Sequence, residues 1–397
     1  MSDGLLDAIR SDDPQAVARV LEADPALAAT LDEPLAGYSF GQTALMAAAT
    51  RANPDVIDVL LRAGASINQK SHWWAGPFHV LDGAMRKPWL PAFLISRGAV
   101  PEIHHLVQFG ALEEVRQMLA AEPALVHARG GDGQLPLHFA QTVEMAEFLL
   151  GHGADPDARD VDHESTAAQY MVSDRPAVAR YLVGRGARAD VLLLAAVGDV
   201  DRLRERLDRD PAAIRTRVSP AWFPMRDPRA GGTIYIWTLG GEKGAHEIAR
   251  QFGHDDAHRE LMARTPPSLA LALACQAGDE ARIADLRGRV ASIDPEDYGW
   301  LFAAASRDRG DVARRLLAVG WPGDVVERGV STLHWAAWHG DAALVSALLQ
   351  RGARRDLKDP QFAGTPLDWA EHAIGSRSDA NGRDYSATLD LLRGGSR

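Results

Sequence analysis

One phrase keeps returning along the chain and constrains its fold more than any single residue does. It reads Gly-x-Thr-x-Leu-x-x-Ala and is followed, after a helical stretch, by Leu-Leu-x-x-Gly-Ala. The fullest copy runs from Gly329 through Leu333, His334, Ala336 and Ala337 to Leu348, Leu349, Gly352 and Ala353. Further copies occupy residues 41–65 and 133–154. The glycines that close successive copies are Gly64 and Gly98, Gly153 and Gly186, and Gly320 and Gly352. They lie about 32–34 residues apart, the period of two helices and a turn. A chain built this way buries each apolar face only against neighbouring repeats. Its 397 residues therefore predict one long array over 1–397 in place of two or three separate cores.

The phrase and its period resemble the ankyrin-repeat family, most clearly over 37–70, 131–158 and 325–357. The resemblance implies an all-α fold, a solenoid of about twelve helix-turn-helix units with hairpin-like fingers and very little strand. The divisions fall at 3–36, 37–70, 71–101, 102–130, 131–158, 159–190, 191–218, 219–266, 267–294, 295–324, 325–357 and 358–397. Residues 1–36 form an N-terminal capping unit and 358–397 a C-terminal one, with a polar loop over 375–384 before a last helix at 387–392. Some units close with an acidic residue and Pro-Ala, at 21–27, 119–125 and 207–214. Proline there is expected to stop the second helix, because it cannot donate the next hydrogen bond. The chain also resembles a group of bacterial ankyrin-repeat proteins that carry segments like those at 160–166 and 231–240. That resemblance carries fold, and for function only binding.

Several eye-catching residues have structural explanations. His79, His104, His138 and His334 fall at the histidine slot of the repeat phrase, where the resemblance implies hydrogen bonds to the backbone of neighbouring fingers. Thr43 and Thr365 are expected to cap first helices. Phe148, Tyr181 and the leucine pairs recur at helical spacing and are expected in the core. Cys275, the one cysteine, sits at an alanine-type position and reads as a small buried hydrophobe.

The charge balance narrows the partners. The formal net charge is −11, and no run of Lys and Arg offers the cationic face that nucleic acid requires. A lone thiol points to a reducing compartment, and the acidic start Met1-Ser2-Asp3 lacks the pattern of a leader peptide. No apolar stretch reaches the roughly 20 residues of a membrane helix. The expectation is a cytoplasmic protein that meets neither nucleic acid nor membrane.

Function in such an array should appear where fingers depart from the pattern. His72, Trp73 and Trp74 put adjacent indoles on a finger that normally holds small polar residues, and an indole face suits a ring, a sugar or a cation. Arg129 and Asp132 flank a glycine turn, with Arg129 able to clamp an anion. Asp162, His163 and Glu164 crowd a third tip, with Glu164 where the turn glycine belongs. Ionisable groups so close tune one another. Contiguous residues rarely converge on one ion, so the sequence assigns no metal ligands and no cofactor. The fourth departure is a long inserted finger over 219–232, carrying Arg226, Asp227 and Arg229 ahead of a helix that begins near 233 and holds Trp237. Trp338 and His339 form a second candidate contact area.

Two roles fit this set. The first is a binding protein that holds a partner polypeptide or a small polar ligand in the concave groove. The second is an enzyme on the same scaffold, with His163, Glu164 and Asp162 as acid–base groups and the arginines holding an anionic substrate for hydrolysis, elimination or isomerisation. No nucleophile motif, phosphate loop or zinc spacing accompanies that second role.

Overall fold

The computed structural model describes residues 3–84, 87–377, 379 and 382–394. Residues 1–2 of the N-terminal unit, 85–86 of the third unit, and 378, 380, 381 and 395–397 of the C-terminal unit lie outside the described residues. The chain is an all-α array of helical hairpins. Among the described residues the regular strand pairing is one antiparallel pair, Val326–Glu327 with Val330–Ser331, in which Val326 faces Ser331.

The second unit shows how the sequence makes each hairpin. Thr43 Oγ1 accepts the Met46 N–H and caps helix Ala44–Arg51. Ala52 turns the chain in the left-handed region at φ 59°. Asn53 then accepts the N–H groups of Asp55 and Val56, and Pro54 opens helix Pro54–Arg62 where its missing N–H costs nothing. Leu45, Ala47 and Ala48 of the first helix and Val56, Ile57 and Leu60 of the second are buried. Gly64 closes the unit at φ 102°, a conformation that a Cβ would strain.

The Pro-Ala units stop as expected and then do something further. Proline opens a tight 3-10 turn at Pro25–Thr30, Pro123–His127 and Pro211–Arg215. At the C-terminal unit, helix Pro366–Ser376 extends into the run read as loop, and the last helix is Tyr385–Leu392. The helix expected from 233 is instead a π-turn at Ile236–Gly240. Phe148 and Tyr181 are half-buried and not core; Arg116 lies over the first ring at 4.7 Å and Arg185 over the second at 5.9 Å. Cys275 is fully buried, and burial pushes its thiol up to about 11. Among the described residues no helix is long and apolar enough to cross a membrane.

The chain to Arg188 packs with Met225–Ile234 as one compact unit, and Ala189–Pro224 packs with the chain from Tyr235 onward as another. The long finger is thus divided between them at residue 225.

Candidate functional site

In the first compact unit a main-chain ladder joins the finger tips. His72 N–H donates to Gly41 O at 3.0 Å and Asp132 N–H to Gly76 O at 3.3 Å. Val161 and Asp162 both donate to Asp132 O, at 2.9 and 3.2 Å, and Gly231 N–H donates to Asp162 O at 3.0 Å. The approach is close enough to demand glycine. A Cβ on Gly133 (φ +70°) would lie 2.3 Å from Val161 Cγ2 and 2.8 Å from Ala75 O.

This ladder gathers side chains that the sequence separates widely. Trp73 Nε1–H donates to Asp132 Oδ1 at 2.9 Å. The Trp73 ring packs edge-on to Phe40 at 4.9 Å and tilts against Trp74 at 6.0 Å. One ligand-type atom each from Asp132, Asp162 and His163 lies within 4.8 Å of the others. Burial, and next the Asp162 carboxylate, push Asp132 up to about 6. Asp160 holds the tip itself: it accepts the His163 and Ser165 N–H groups at 2.8 and 2.7 Å and the Tyr170 hydroxyl at 2.9 Å.

Residues 225–234 lie along this tip. Glu164, at φ 44° where the repeat phrase has glycine, accepts the N–H groups of Arg226 and Asp227 on Oε1 at 2.7 and 3.0 Å. Ile234 N–H donates to Ser165 Oγ at 3.2 Å. Arg229 pairs with Asp227 through Nε and Nη2, at 3.1 and 2.8 Å, and its guanidinium lies 4.2 Å over the Trp74 ring. These bonds define roles. Glu164 positions main chain, Arg229 is neutralised by Asp227, and Arg129 Nη1 donates to the carbonyls of Gly133 and Arg159. His72 and Arg226 are exposed.

The structure therefore brings together Trp73, Trp74, Asp132, Asp162, His163, Glu164, Asp227 and Arg229. It places Trp237, 61% exposed, in the second compact unit together with Trp338 and His339.

In that second unit a cavity of about 710 Å³ is lined by Trp335, Trp338, Phe362, Asp368, Trp369 and His372. Trp369 stands nearly perpendicular to both Trp335 (88°) and Trp338 (77°), and His372 stacks on Trp338 at 5.9 Å. Asp368 is held below the usual carboxylate range by hydrogen bonds from the Thr365 hydroxyl and N–H. Arg377 already lies over Trp338 at 5.9 Å. His339 is buried, bonded to Ser306 O at 3.3 Å and Arg377 Nη1 at 3.1 Å, and stacked on Trp335 at 6.1 Å, so it is a packing residue and does not line the cavity.

Sequence reading missed Trp335, Phe362 and Trp369. The signal was there: aromatic residues recur in the same slot of successive repeats, as Trp335 and Trp369 do. It also missed a group in the first unit. His104 and His105 Nε2 both approach Asp82 Oδ1, at 3.2 and 3.1 Å. Here the alignment needs correcting by one residue. His105 occupies the repeat slot, since its Nδ1 accepts Glu102 N–H as His138 Nδ1 accepts Leu135 N–H. His138 and His334 reach the neighbouring backbone at Ser165 O and Gly364 O as expected. His79 reaches the Asn68 side chain instead.

Three segments match the ankyrin repeat family model: residues 40–72, 132–161 and 328–360. No curated protein matches the chain. Among solved structures it is similar to one chain of the complex of Bd0816, a predatory endopeptidase from Bdellovibrio bacteriovorus, with immunity protein Bd3460. The identity there is 20%, over 46% of this chain and 98% of that one, with a TM-score of 0.30.

Proposed function

We propose that this chain, three segments of which match the ankyrin repeat, is a scaffold for protein interaction that captures a partner polypeptide by a cationic side chain seated between Trp335, Trp338 and Trp369. The cavity those rings wall is the observation that carries this reading. Its volume of about 710 Å³ falls within the roughly 300–1,000 Å³ of ligand sites. Indole faces attract ammonium and guanidinium groups by about 0.5–2 kcal/mol each. Asp368 adds an ionised carboxylate at the lining, and Arg377 shows one ring already receiving a guanidinium. The net charge of −11 favours encounter with a basic segment.

Titration of the intrinsic tryptophan fluorescence with a lysine-rich and a glutamate-rich peptide tests the reading. Saturable quenching by the basic peptide alone is expected, and it should weaken in Trp338→Ala and in Phe362→Ser, a residue 72% exposed in the parent. Equal response to both peptides, or unchanged affinity in both variants, sinks it.

A further inference from the structure

Each member of the Asp132, Asp162 and His163 cluster is oriented by a hydrogen bond from outside the cluster. Trp73 Nε1–H fixes Asp132 at Oδ1. Gly231 N–H reaches Asp162 Oδ1 at 3.2 Å. His163 Nδ1 lies 2.8 Å from Gly232 O; a carbonyl only accepts, so Nδ1 carries the proton. Nε2 is then the ring atom turned toward Asp162 Oδ2, 3.5 Å away. A cation held among these three groups would be attracted by both carboxylates.

We propose that Asp132, Asp162 and His163 bind one divalent transition-metal cation of the Zn²⁺ class. One imidazole and two carboxylates suit Zn²⁺ or Co²⁺ better than Mg²⁺ or Ca²⁺, which take oxygen ligands. Metal bonds of about 2.0–2.1 Å place tetrahedral ligand atoms roughly 3.4 Å apart, close to the 3.5 Å between His163 Nε2 and Asp162 Oδ2. The Nδ1–H···O=C bond is the outer-shell device that fixes the tautomer of metal-bound histidines. Gly231 closes over the cluster: a Cβ there would lie 3.0 Å from His163 Cε1 and 3.1 Å from Asp162 Oδ2.

The cluster of Asp82, His104 and His105 makes the contrast. His105 Nδ1 accepts a backbone N–H, so its Nε2 bears the proton and donates to Asp82. Those bonds already satisfy the group, and a metal would have to displace that proton.

The site is independent of the aromatic cavity, and its test uses metal alone. Full-length protein stripped with chelator is titrated with ZnCl₂ by calorimetry and with CoCl₂ by visible absorption. One equivalent is expected to bind, with Co²⁺ giving the d–d bands of a low-coordinate nitrogen–oxygen site that Zn²⁺ then abolishes. Asp162→Asn and His163→Asn should each weaken binding by more than about 10-fold, and Trp73→Phe by about 10-fold through the outer bond. His104→Asn should bind as the parent does. Circular dichroism identifies any variant that does not fold, and the Co²⁺ spectrum of the unaltered protein decides the matter without variants. Failure of the parent to bind either ion, or loss of binding in His104→Asn with retention in His163→Asn, overturns the proposal.

Discussion

The Trp73 indole and the Asp132 carboxylate meet at 2.9 Å although 59 residues separate them. The bond adds a side-chain tie to the main-chain bond from Asp132 N–H to Gly76 O. It also sets a charge balance. Asp132 titrates at about 6 because burial and Asp162 oppose its ionisation, while the Trp73 bond favours it. The native state thus holds a proton that the unfolded state releases from about 4 upward. From this group, stability is highest below about pH 4 and falls as pH rises toward 6. Trp73→Phe removes the opposing bond, so the fall should extend to higher pH. Urea unfolding of chelator-stripped protein should show a loss of about 1.5–3 kcal/mol at pH 8, where the carboxylate is charged, and a smaller loss at pH 4.

Glu164 holds residues 226 and 227 by two N–H bonds to one oxygen. Glu164→Ala should free this segment while leaving the helices intact. Trypsin cleavage after the exposed Arg226 and Arg229 should accelerate by roughly 10-fold, as loss of about 1.4 kcal/mol of local stability predicts. An unchanged cleavage rate would show that other contacts anchor the segment.

Glu242 shares Arg217 with Glu327, at 2.7 and 2.5 Å. Burial first, opposed by Arg217 and reinforced by Glu327, pushes it up to about 7 from a usual 4.5. The native state binds the extra proton across that window, so stability from this group is full below about pH 4.5 and lost as pH climbs through 7. One pKa unit is about 1.4 kcal/mol, which bounds the effect at about 3 kcal/mol. Glu242→Gln should remove the descent, leaving the variant more stable than the parent at pH 8 and no more stable at pH 4. Thermal unfolding at the two values checks the sign.

Arg215 binds three carboxylates: Asp294 at 2.7 Å, Glu296 at 3.0 Å and Asp297 at 2.9 Å. Asp297 is fully buried, so Arg215→Met strands it. Removing one partner of a buried pair costs about 3–5 kcal/mol, and denaturant unfolding at pH 7 should show a loss of that size. The double variant with Asp297→Asn should recover part of it, because the stranded charge is gone.

The repeat phrase made the hairpins legible because their causes are local. Thr43 caps the helix that begins one residue later, and Asn53 with Pro54 starts the next. The histidine slot was legible for the same reason at His138 and His334. The adjacent pair His104 and His105 misled the alignment, since either fits the pattern and only the bond from Glu102 N–H distinguishes them. Among candidate site residues, Trp73, Asp132, Asp162 and His163 stood out as departures from the phrase. Their roles did not. Arg129 and Glu164 looked chemical, yet each is engaged with backbone groups.

Sequence by itself determined the all-α repeat, most of the places where helices begin and end, and which finger tips break the pattern. Each of these follows from interactions within a few residues. Only the tertiary structure decided that Asp132 joins Asp162 and His163, and that Trp335, Trp338 and Trp369 wall one cavity. Those groupings depend on how one repeat stacks on the next. For the Asp132, Asp162 and His163 group a main-chain ladder from Gly41 to Gly231 sets that register, and backbone hydrogen bonds leave no mark on side-chain identity except where glycine is required.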